Sequence, residues 1–257
     1  LYNKAATVER AIRSVQDQTV TNWRLIVVDD GSTDQGADIV EQMAQQDGRI
    51  RLFRQENRGT GAARNAGLAK VKAEYTAFLD ADDEWRPNYL QQALTALKHH
   101  DIAMTGCFYY RWPEKKDMTS FWRQRNVVPG TYALRGNEDA VWVSNLVSVF
   151  LPTVTVVQTA AARECDGFYD KTHACWGEDQ TLFLRLAARH PFTILDEHAA
   201  FFHVEDSFRS GHRRPQELPV FIADPQAVLQ YCPENVKTLM EQVIAHRALG
   251  VARSWAY

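Results

Sequence analysis

The fold of this chain is decided by the stretch Phe78-Leu79-Asp80-Ala81-Asp82-Asp83-Glu84-Trp85. The apolar run 75–79 predicts a buried strand, and the acids after it must lie where the strand leaves the sheet, because unpaired charges are not tolerated inside one. Asp80 and Asp82 are two positions apart, so in an extended segment their side chains point the same way. Two such carboxylates suit Mg²⁺ or Mn²⁺, with a diphosphate completing the coordination shell. A solvated acidic turn explains the same residues, and both interpretations stay open.

The composition is that of an ordinary globular protein. The chain has 257 residues, of which 45% are apolar and 24% charged. This length is enough for one large α/β domain or a domain with an elaborated second part. The net charge of −3 gives no electrostatic signature of binding to a nucleic-acid backbone. We therefore expect no nucleic-acid partner.

The cysteines and the apolar runs bear on the cellular compartment. The four cysteines are Cys107, Cys165, Cys175 and Cys232. They form no CxxC pair and no zinc-ligand spacing, which predicts free thiols in a reducing compartment. No signal-peptide pattern is recognisable, and the longest apolar run, 146–157, is interrupted by Pro152 and too short to span a bilayer. We expect a soluble cytoplasmic protein, with contact at the inner face of the membrane left open.

Predicted helices and strands alternate over the first hundred residues. Apolar residues at helical spacing begin at Val8, and a further helix is predicted over 87–99, with Pro87 at its first position. The predicted strands between them are 24–28, 50–53 and 75–79. This alternation is typical of a mostly parallel sheet with helices on both faces.

Carboxylates follow two of these strands directly. Asp29 and Asp30 come at the end of the first strand, and Asp80 and Asp82 at the end of the third. Ligands of open α/β sheets bind at the carboxyl edge of the strands, so we expect these acids in one neighbourhood. For Asp34 a turn or capping role is the better interpretation. For Asp30 we predict a ligand role, with a hydrogen bond to a base or ribose.

Four motifs in register carry a family resemblance. After Asn3 near the first helix, they are Val27-Val28-Asp29-Asp30-Gly31-Ser32-Thr33-Asp34, Asn57-Arg58-Gly59 with Ala63-Arg64-Asn65-Ala66-Gly67, Phe78-Leu79-Asp80-Ala81-Asp82-Asp83, and Trp176-Gly177-Glu178-Asp179. In this order and spacing they resemble the inverting glycosyltransferases of family 2, which have the GT-A fold. The resemblance covers 3–88 and returns over 176–210. The family's opening strand is missing from this sequence, so we expect either a trimmed chain or a sheet without that strand.

The resemblance implies a role for each matching residue. The residues implied for binding the nucleotide-sugar donor are Asn3, Asp29, Asp30, Asn57, Arg58, Arg64 and Asp80. Those implied as ligands of Mn²⁺ or Mg²⁺ are Asp82, Asp80 and His203. Asp179 is implied as the general base, with Trp176 and Glu178 on the acceptor side. Asp83 is expected either to substitute in these roles or to contact sugar hydroxyls.

Two of these assignments compete with a structural explanation. Asp179 begins a predicted helix, where an acid is favoured by the helix dipole, so the residues alone favour capping. Together with the upstream motifs they favour a base that accepts the proton of an acceptor hydroxyl. Glu178 is assigned to the acceptor pocket or to structural pairing. His203 ends a predicted strand, where a metal could recruit it, although a lone histidine is more often structural.

The second half of the chain has fewer patterns that predict one structure or one function. Gly106 predicts a bend or bulge between two strand-like stretches. The Trp-rich segment 118–145 suits sugar stacking or, by base rates, packing against the domain. The basic residues Arg209, His212, Arg213 and Arg214 suit diphosphate, an anionic lipid-linked acceptor or a solvated loop. An apolar stripe over 235–249 predicts a docking helix, onto this domain or onto a partner.

These patterns together predict an α/β protein of GT-A type, with a Rossmann-like, mostly parallel sheet, an acceptor-side insertion and C-terminal helices. We expect a nucleotide-sugar-binding half over 1–100, an acceptor-binding and catalytic half over 101–210, and a helical extension over 211–257. The resemblance implies a metal-dependent, inverting transfer of a sugar from a nucleotide-sugar donor, with a UDP-sugar as the preferred candidate. The implied acceptor is a glycan or a lipid-linked sugar in bacterial surface polysaccharide synthesis. A nucleotidyltransferase and a non-catalytic nucleotide- or glycan-binding module remain alternatives, and the oligomeric state is open.

Overall fold

The structure is a computed structural model that describes residues 1–99, 101–173, 176–205 and 217–255. Helices and strands alternate through the first hundred residues, as the apolar spacing predicts. The elements are α1 (Val8–Gln16), β1 (Leu25–Asp30), α2 (Gly36–Gln46), β2 (Ile50–Gln55), α3 (Thr60–Lys70), β3 (Tyr75–Ala77), β4 (Glu84–Trp85) and α4 (Tyr89–His99). The two-residue strand β4, directly after the acidic turn, is the element that the sequence pattern did not predict.

The described part of the second half adds five strands, together with helices that pack on them. Its elements are β5 (Met104–Trp112), β6 (Lys116–Asp117), α5 (Thr119–Arg123), β7 (Gly130–Tyr132), α6 (Ala140–Val147), a 3-10 turn (Pro152–Val154), β8 (Thr155–Gln158), α7 (Thr159–Glu164), α8 (Glu178–Arg189), β9 (Phe192–His203), α9 (Val220–Ala223), α10 (Gln226–Leu229) and α11 (Glu234–Trp255). Gly106 lies inside the continuous strand β5, where a Cβ atom would come within 2.7 Å of the Phe150 ring. Close packing therefore requires this glycine, and the irregularity in the ladder lies just after it, around Phe108.

The strands form two sheets within the described residues. The larger sheet has the order β3-β8-β5-β9-β4, with β6 paired to β5 and β7 to β9, while β1 and β2 pair by themselves. The β1–β2 and β5–β9 pairs are parallel, and the other described pairs are antiparallel. The larger sheet is thus more mixed than the expected mostly parallel one, because all its described pairs except β5–β9 are antiparallel, including those of β3 and β4 from the first half.

The amino-terminal residue lies beside β1. The Leu1 amino group donates to the Val28 carbonyl at 2.8 Å, and its own carbonyl accepts from the Asp30 N–H at 2.8 Å. These are the two bonds of a parallel neighbour, and they bring Asn3 over the turn that follows β1. Within the described residues no ladder joins β1 and β2 to the larger sheet.

Helices cover both faces of the larger sheet. On one face Phe108, Phe150 and Phe183 are fully buried in a core built with α6, α7, α8 and α11. On the other face Trp85 and Tyr89 pack in a second core with α1 and α4. Burial of one such side chain stabilises the fold by about 1.5–3 kcal/mol. Because α8 packs in the first core, it approaches the acidic turn from that face of the sheet.

The predicted docking helix packs on this domain. On α11 the apolar stripe is buried in the first core, through Val236, Leu239, Met240, Val243 and Ile244. In the Trp-rich segment, Trp122 is buried in the same core and Trp142 donates to the Asn126 carbonyl at 2.9 Å. The contacts of both tryptophans therefore support packing against the domain rather than stacking on a sugar.

Two further expectations concern the cysteines and the membrane. Cys107, Cys165 and Cys232 are free thiols, and burial raises the pKa of Cys165 and Cys232 to about 11; Cys175 lies outside the described residues. In the described ranges, no helix combines the length and the apolar character that crossing a bilayer requires.

Candidate active site

The strand-end acid Asp30 organises the loop before α3. Its Oδ1 accepts from Gln55 Nε2 at 2.7 Å and from the Arg58 N–H at 2.9 Å, and its Oδ2 accepts from the Gly59 N–H at 2.9 Å. Gly59 has φ +90°, a conformation that favours glycine. The carboxylate of Asp30 is 4% exposed and has three protein donors. The partner that we expected from a base or ribose is thus supplied by the loop itself, and a donor contact by Asp30 stays a prediction.

The turn after β1 is held by the first residues of the chain. Asn3 Oδ1 accepts from the Thr33 N–H at 2.8 Å, and the Asn3 N–H donates to Ser32 Oγ at 3.0 Å. Asp29 Oδ1 accepts from the Ser32 N–H at 3.1 Å. Asp34 accepts from Gly36 N–H at 2.9 Å and Ala5 N–H at 2.8 Å, which confirms its turn role.

Asn57 and Arg58 lie in the loop between β2 and α3, and both are exposed. A Cβ atom on Gly31 would come within 2.9 Å of the Asn57 backbone nitrogen, so the two loops pack closely at this glycine. Arg58 contributes its backbone to Asp30, and its side chain points to the surface. Their contacts with a donor stay predictions.

Arg64 on α3 joins two distant motifs. Its Nη2 donates to Asp80 Oδ1 at 2.7 Å and its Nη1 to Glu178 Oε1 at 3.0 Å. Thr60 Oγ1 also donates to Glu178 Oε1, at 3.2 Å. Burial lowers the pKa of Arg64, but the charges of Asp80, Glu178 and Asp179 outweigh it, so the net effect raises the pKa. Arg64 therefore remains a cation, and the acidic turn and the start of α8 meet around it.

Asp82 is paired with a lysine from the first residues. Lys4 Nζ lies 2.8 Å from Asp82 Oδ2, with the two side chains 20% and 13% exposed. Burial and the neighbouring charge of Asp80 raise the pKa of Asp82, and Lys4 offsets part of this effect. The turn thus concentrates negative charge in a partly enclosed place.

Asp83 is a structural residue. It is 1% exposed, its Oδ2 accepts from Thr153 Oγ1 at 2.5 Å, and its Oδ1 accepts from the His203 N–H at 2.9 Å. Burial, followed by the charge of Asp80, raises the pKa of Asp83 well above its usual range. The expectation that Asp83 contacts sugar hydroxyls or substitutes as a ligand is therefore wrong, since protein donors enclose its carboxylate.

His203 lies behind the acidic turn. The ring is 3% exposed, with Nδ1 3.0 Å from Glu205 Oε1 and Nε2 3.8 Å from Glu84 Oε1. Its backbone is bonded to Asp83 rather than to Asp82. The position is close to the expected ligand pair, and a role for His203 in metal binding stays a prediction.

Asp179 occupies the first turn of α8. The helix begins after Gly177, which has φ +87° and packs against Phe221. Asp179 Oδ1 accepts from the Gln180 N–H at 2.7 Å, and the charge of Asp179 raises the pKa of Arg64 and opposes the burial that lowers the pKa of Arg247. The expected base therefore lies within the field of two arginines.

The two residues expected on the acceptor side have different surroundings. Glu178 is 4% exposed and bound to Arg64 and Thr60, which fits structural pairing, one of its two expected roles. Acceptor binding by Glu178 stays a prediction. Trp176 accepts at its carbonyl from the Val220 N–H at 3.0 Å, and its side chain is partly exposed. Acceptor binding by Trp176 stays a prediction, and the basic residues 209–214 lie outside the described residues.

Comparison with known families decides the identity. Residues 1–151, more than half of the chain, match the family model described as Glycosyl transferase family 2. This chain belongs to glycosyl transferase family 2. The resemblance drawn from its motifs is thereby confirmed.

Curated relatives of the family 2 chain align with its first half. It is 39% identical over 94 residues to "Putative glycosyltransferase EpsH" of Bacillus subtilis, covering 37% of this chain and 27% of that protein. It is 37% identical over 109 residues to "Putative teichuronic acid biosynthesis glycosyltransferase TuaG" of the same organism, covering 42% and 43%. The aligned part thus spans less than half the length of these relatives.

Solved structures extend the likeness to nearly the whole family 2 chain. S. aureus TarS 1-349 in complex with UDP-GlcNAc has a TM-score of 0.75 at 18% identity, covering 95% of this chain and 68% of that chain. The mannosyltransferase PcManGT from Pyrobaculum calidifontis, in complex with GDP-Man and Mn²⁺, has a TM-score of 0.68 at 18% identity, covering 99% and 71%. The α/β fold of GT-A type is confirmed.

The acidic turn of the family 2 chain fits a divalent cation. Asp80 and Asp82 supply hard carboxylate oxygens, and the ion pairs with Arg64 and Lys4 use Oδ1 of the first and Oδ2 of the second. Burial, followed by the like charge of Asp80, raises the pKa of Asp82, and a bound cation would oppose both effects. Within the described ranges no three His, Cys, Asp or Glu side chains form a ready cluster, so the protein would supply only part of the shell.

Sequence reasoning missed four residues that shape this site. They are Lys4, Thr153, Gln180 and Arg247. Lys4 and Gln180 directly adjoin recognised motifs, which was the available signal. Thr153 lies in an apolar run and Arg247 in the docking helix, where no local pattern marks them.

Proposed function

We propose that this chain is the catalytic part of an inverting glycosyltransferase that moves a sugar from a nucleotide-sugar donor to a hydroxyl group. The observation that carries this proposal is the contact of Arg64 with both Asp80 and Glu178, which brings the acidic turn and the start of α8 to one place. Family membership supports the same activity.

The donor side of the proposed site is the half 1–100. We propose that the donor is bound by Asn3, Asp29, Asp30, Asn57, Arg58, Arg64 and Asp80. Asp30 acts chiefly by shaping the loop at Gly59, and Arg64 contributes a permanent positive charge. UDP-sugar is the proposed donor, because TarS is described in complex with UDP and UDP-GlcNAc, while PcManGT is described with GDP-Man.

The proposed cation site consists of Asp82 and Asp80, with His203 as a third candidate, for Mn²⁺ or Mg²⁺. A bound divalent cation would stabilise the negative charge on the departing diphosphate. Asp82 lies in the acidic turn after β3, and its ion pair with Lys4 keeps the carboxylate in place. The support for a metal is the chemistry of these carboxylates, together with the Mn²⁺ named for PcManGT.

The proposed base is Asp179. In a single displacement, one carboxylate accepts the proton of the acceptor hydroxyl as that oxygen attacks, which inverts the anomeric carbon. Glu178 contributes indirectly, since it holds Arg64 against Asp80. The half 101–210 then binds the acceptor, with Trp176 just before α8. The range 211–257 is the proposed extension, and its described helices α9, α10 and α11 pack in the same core as α8.

The proposed acceptor is a glycan or a lipid-linked sugar in bacterial surface polysaccharide synthesis. The support is the printed name of TuaG, which refers to teichuronic acid biosynthesis. The proposed location is the cytoplasm, with contact at the inner face of the membrane.

A two-step experiment tests the activity. Thermal stability is measured with UDP, GDP and their sugars, with Mn²⁺ and with a chelator, and a ligand at about 100 times its Kd adds about 2.7 kcal/mol of stability. The best donor is then incubated with the protein, and released nucleoside diphosphate is measured. We expect metal-dependent stabilisation and release. Pyrophosphate release from a nucleoside triphosphate would indicate a nucleotidyltransferase instead, and binding without any release would indicate a binding module.

A further inference from the structure

The C-terminal helix places an arginine behind the start of α8. Arg247 on α11 donates through Nη1 to Gln180 Oε1 at 2.9 Å, and through Nη2 to Ser148 Oγ at 2.7 Å and the Ser144 carbonyl at 2.9 Å. Its Nε donates to Ser144 Oγ at 3.2 Å. The guanidinium thus fixes α6 and α8 at once, and all its described hydrogen-bond acceptors are neutral.

Arg247 is a partly buried cation whose described acceptors are neutral, a setting that favours a compensating charge nearby. Burial lowers the pKa of Arg247 to about 10, and the opposing influence is the charge of Asp179. The charge of Asp179 acts on Arg64 from α3 and on Arg247 from α11, and Glu178 precedes it on α8. Arg64 already binds two carboxylates. For Arg247, the negative charge that favours its cationic form is that of Asp179.

Packing alone does not explain an arginine at this position. The apolar stripe over 236–244 already anchors α11 in the core. The guanidinium lies 5.3 Å from the Phe221 ring, a place where an apolar side chain would also pack. Because apolar residues often replace ionic groups in protein interiors without loss of stability, the charge of Arg247 is the feature that needs a function.

Gln180 transmits the contact to the candidate base. Its Oε1 accepts from Arg247, its Nε2 donates to the Phe150 carbonyl at 2.6 Å, and its backbone N–H donates to Asp179 Oδ1 at 2.7 Å. The first turn of α8 is thereby held from the side of α11. Gln180 thus contacts Arg247 through its side chain and Asp179 through its backbone.

We propose that Arg247 is a positioning residue for Asp179, which keeps that carboxylate ionised and correctly oriented as the base of the transfer reaction. This inference rests on the proposed function. It assigns a catalytic purpose to a helix that lies outside the part matched by the family model, which ends at residue 151.

The test compares Arg247→Met, which removes the charge, with Arg247→Lys, which keeps it. The readouts are donor binding by thermal shift and the release of nucleoside diphosphate from the donor, with water as acceptor, as a function of pH. A nearby cation lowers the pKa of a carboxylate, so its removal raises the pKa of the base. For Arg247→Met we expect unchanged donor binding, an acid limb displaced upward by about one pH unit, and a kcat about tenfold lower on that limb. Arg247→Lys should restore the position of the limb.

The control is Arg253→Met, which removes an exposed arginine from the same helix and should leave the profile unchanged. If Arg247→Met does not fold, Arg247→Gln removes the charge and keeps hydrogen bonding. An acid limb at the wild-type position in the folded neutral variant would overturn the role of Arg247. Wild-type protein that releases no nucleoside diphosphate would overturn the proposed function, so the two failures are distinguishable.

Discussion

Arg64 binds Asp80 at 2.7 Å and Glu178 at 3.0 Å, and so connects residues that are 16 and 114 positions away from it in the chain. The three side chains are 17%, 33% and 5% exposed, so the contact is largely shielded from water. One guanidinium between two carboxylates leaves a net negative charge at the edge of the sheet. The arrangement suits both a cation and a site in which protons are accepted.

Removal of the Arg64 charge should destabilise the fold as well as the site. In Arg64→Ala the buried Glu178 loses its cation, and breaking a buried pair on one side costs about 3–5 kcal/mol. We expect a loss of that order in the free energy of unfolding, measured by urea denaturation. We also expect Arg64→Ala to weaken nucleotide binding more than acceptor binding. As a control, Arg54→Ala removes an exposed arginine paired with Asp38 and Glu41, which should cost less than about 1 kcal/mol. Equal losses in the two variants would contradict the structural role of Arg64.

Asp82→Ala should remove the metal dependence of donor binding. The carboxylate lies beside Asp80 and is the proposed ligand of the cation. We expect the thermal shift given by the nucleotide sugar with Mn²⁺ to fall to the level seen with chelator. Asp38→Ala, at an exposed position on α2, is the matched control and should keep the full shift. A metal-dependent shift of wild-type size in Asp82→Ala would exclude Asp82 as the ligand.

Asp179→Asn should separate binding from chemistry. The amide keeps the shape of the side chain but cannot accept a proton, and loss of a general base lowers rates by about 100- to 10,000-fold. We expect donor affinity to stay within about twofold of wild type, while release of nucleoside diphosphate falls by that factor. Asp196→Asn, at an exposed position on β9, should release nucleoside diphosphate normally. Normal release by Asp179→Asn would rule out Asp179 as the base.

Two glycines on α3 provide a matched pair for the position of Arg64. A Cβ atom on Gly61 would lie 2.1 Å from the Tyr169 carbonyl oxygen, whereas one on Gly67 would be 3.5 Å from the nearest atom of Val28. Because backbone cannot yield as a side chain does, we expect Gly61→Ala to lose about 1–3 kcal/mol of stability. Gly67→Ala should gain up to about 1 kcal/mol from helix propensity. Differential scanning calorimetry measures both, and similar shifts in the same direction would contradict the tight approach of α3 to Tyr169.

The sequence by itself determined the order of the elements and the motifs at strand ends. Apolar spacing identifies α1, β1, β3 and α4 because each element reports its own burial through a local period. The Asp34 turn was also readable, since an acid that caps a turn bonds to backbone a few residues away. The α/β class was readable, but the mixed direction of the strands was not, because strand direction depends on which strands meet and no local period encodes that.

Only the tertiary structure decided which charges are paired. In sequence, Asp80, Asp82 and Asp83 are three acids within four positions. In the fold the first binds Arg64, the second Lys4, and the third Thr153 and the His203 backbone. A charged residue that is buried with a distant partner has the same local pattern as one on the surface. The role of a carboxylate is set by the donors that packing brings to it, and those donors come from elements far away in the chain.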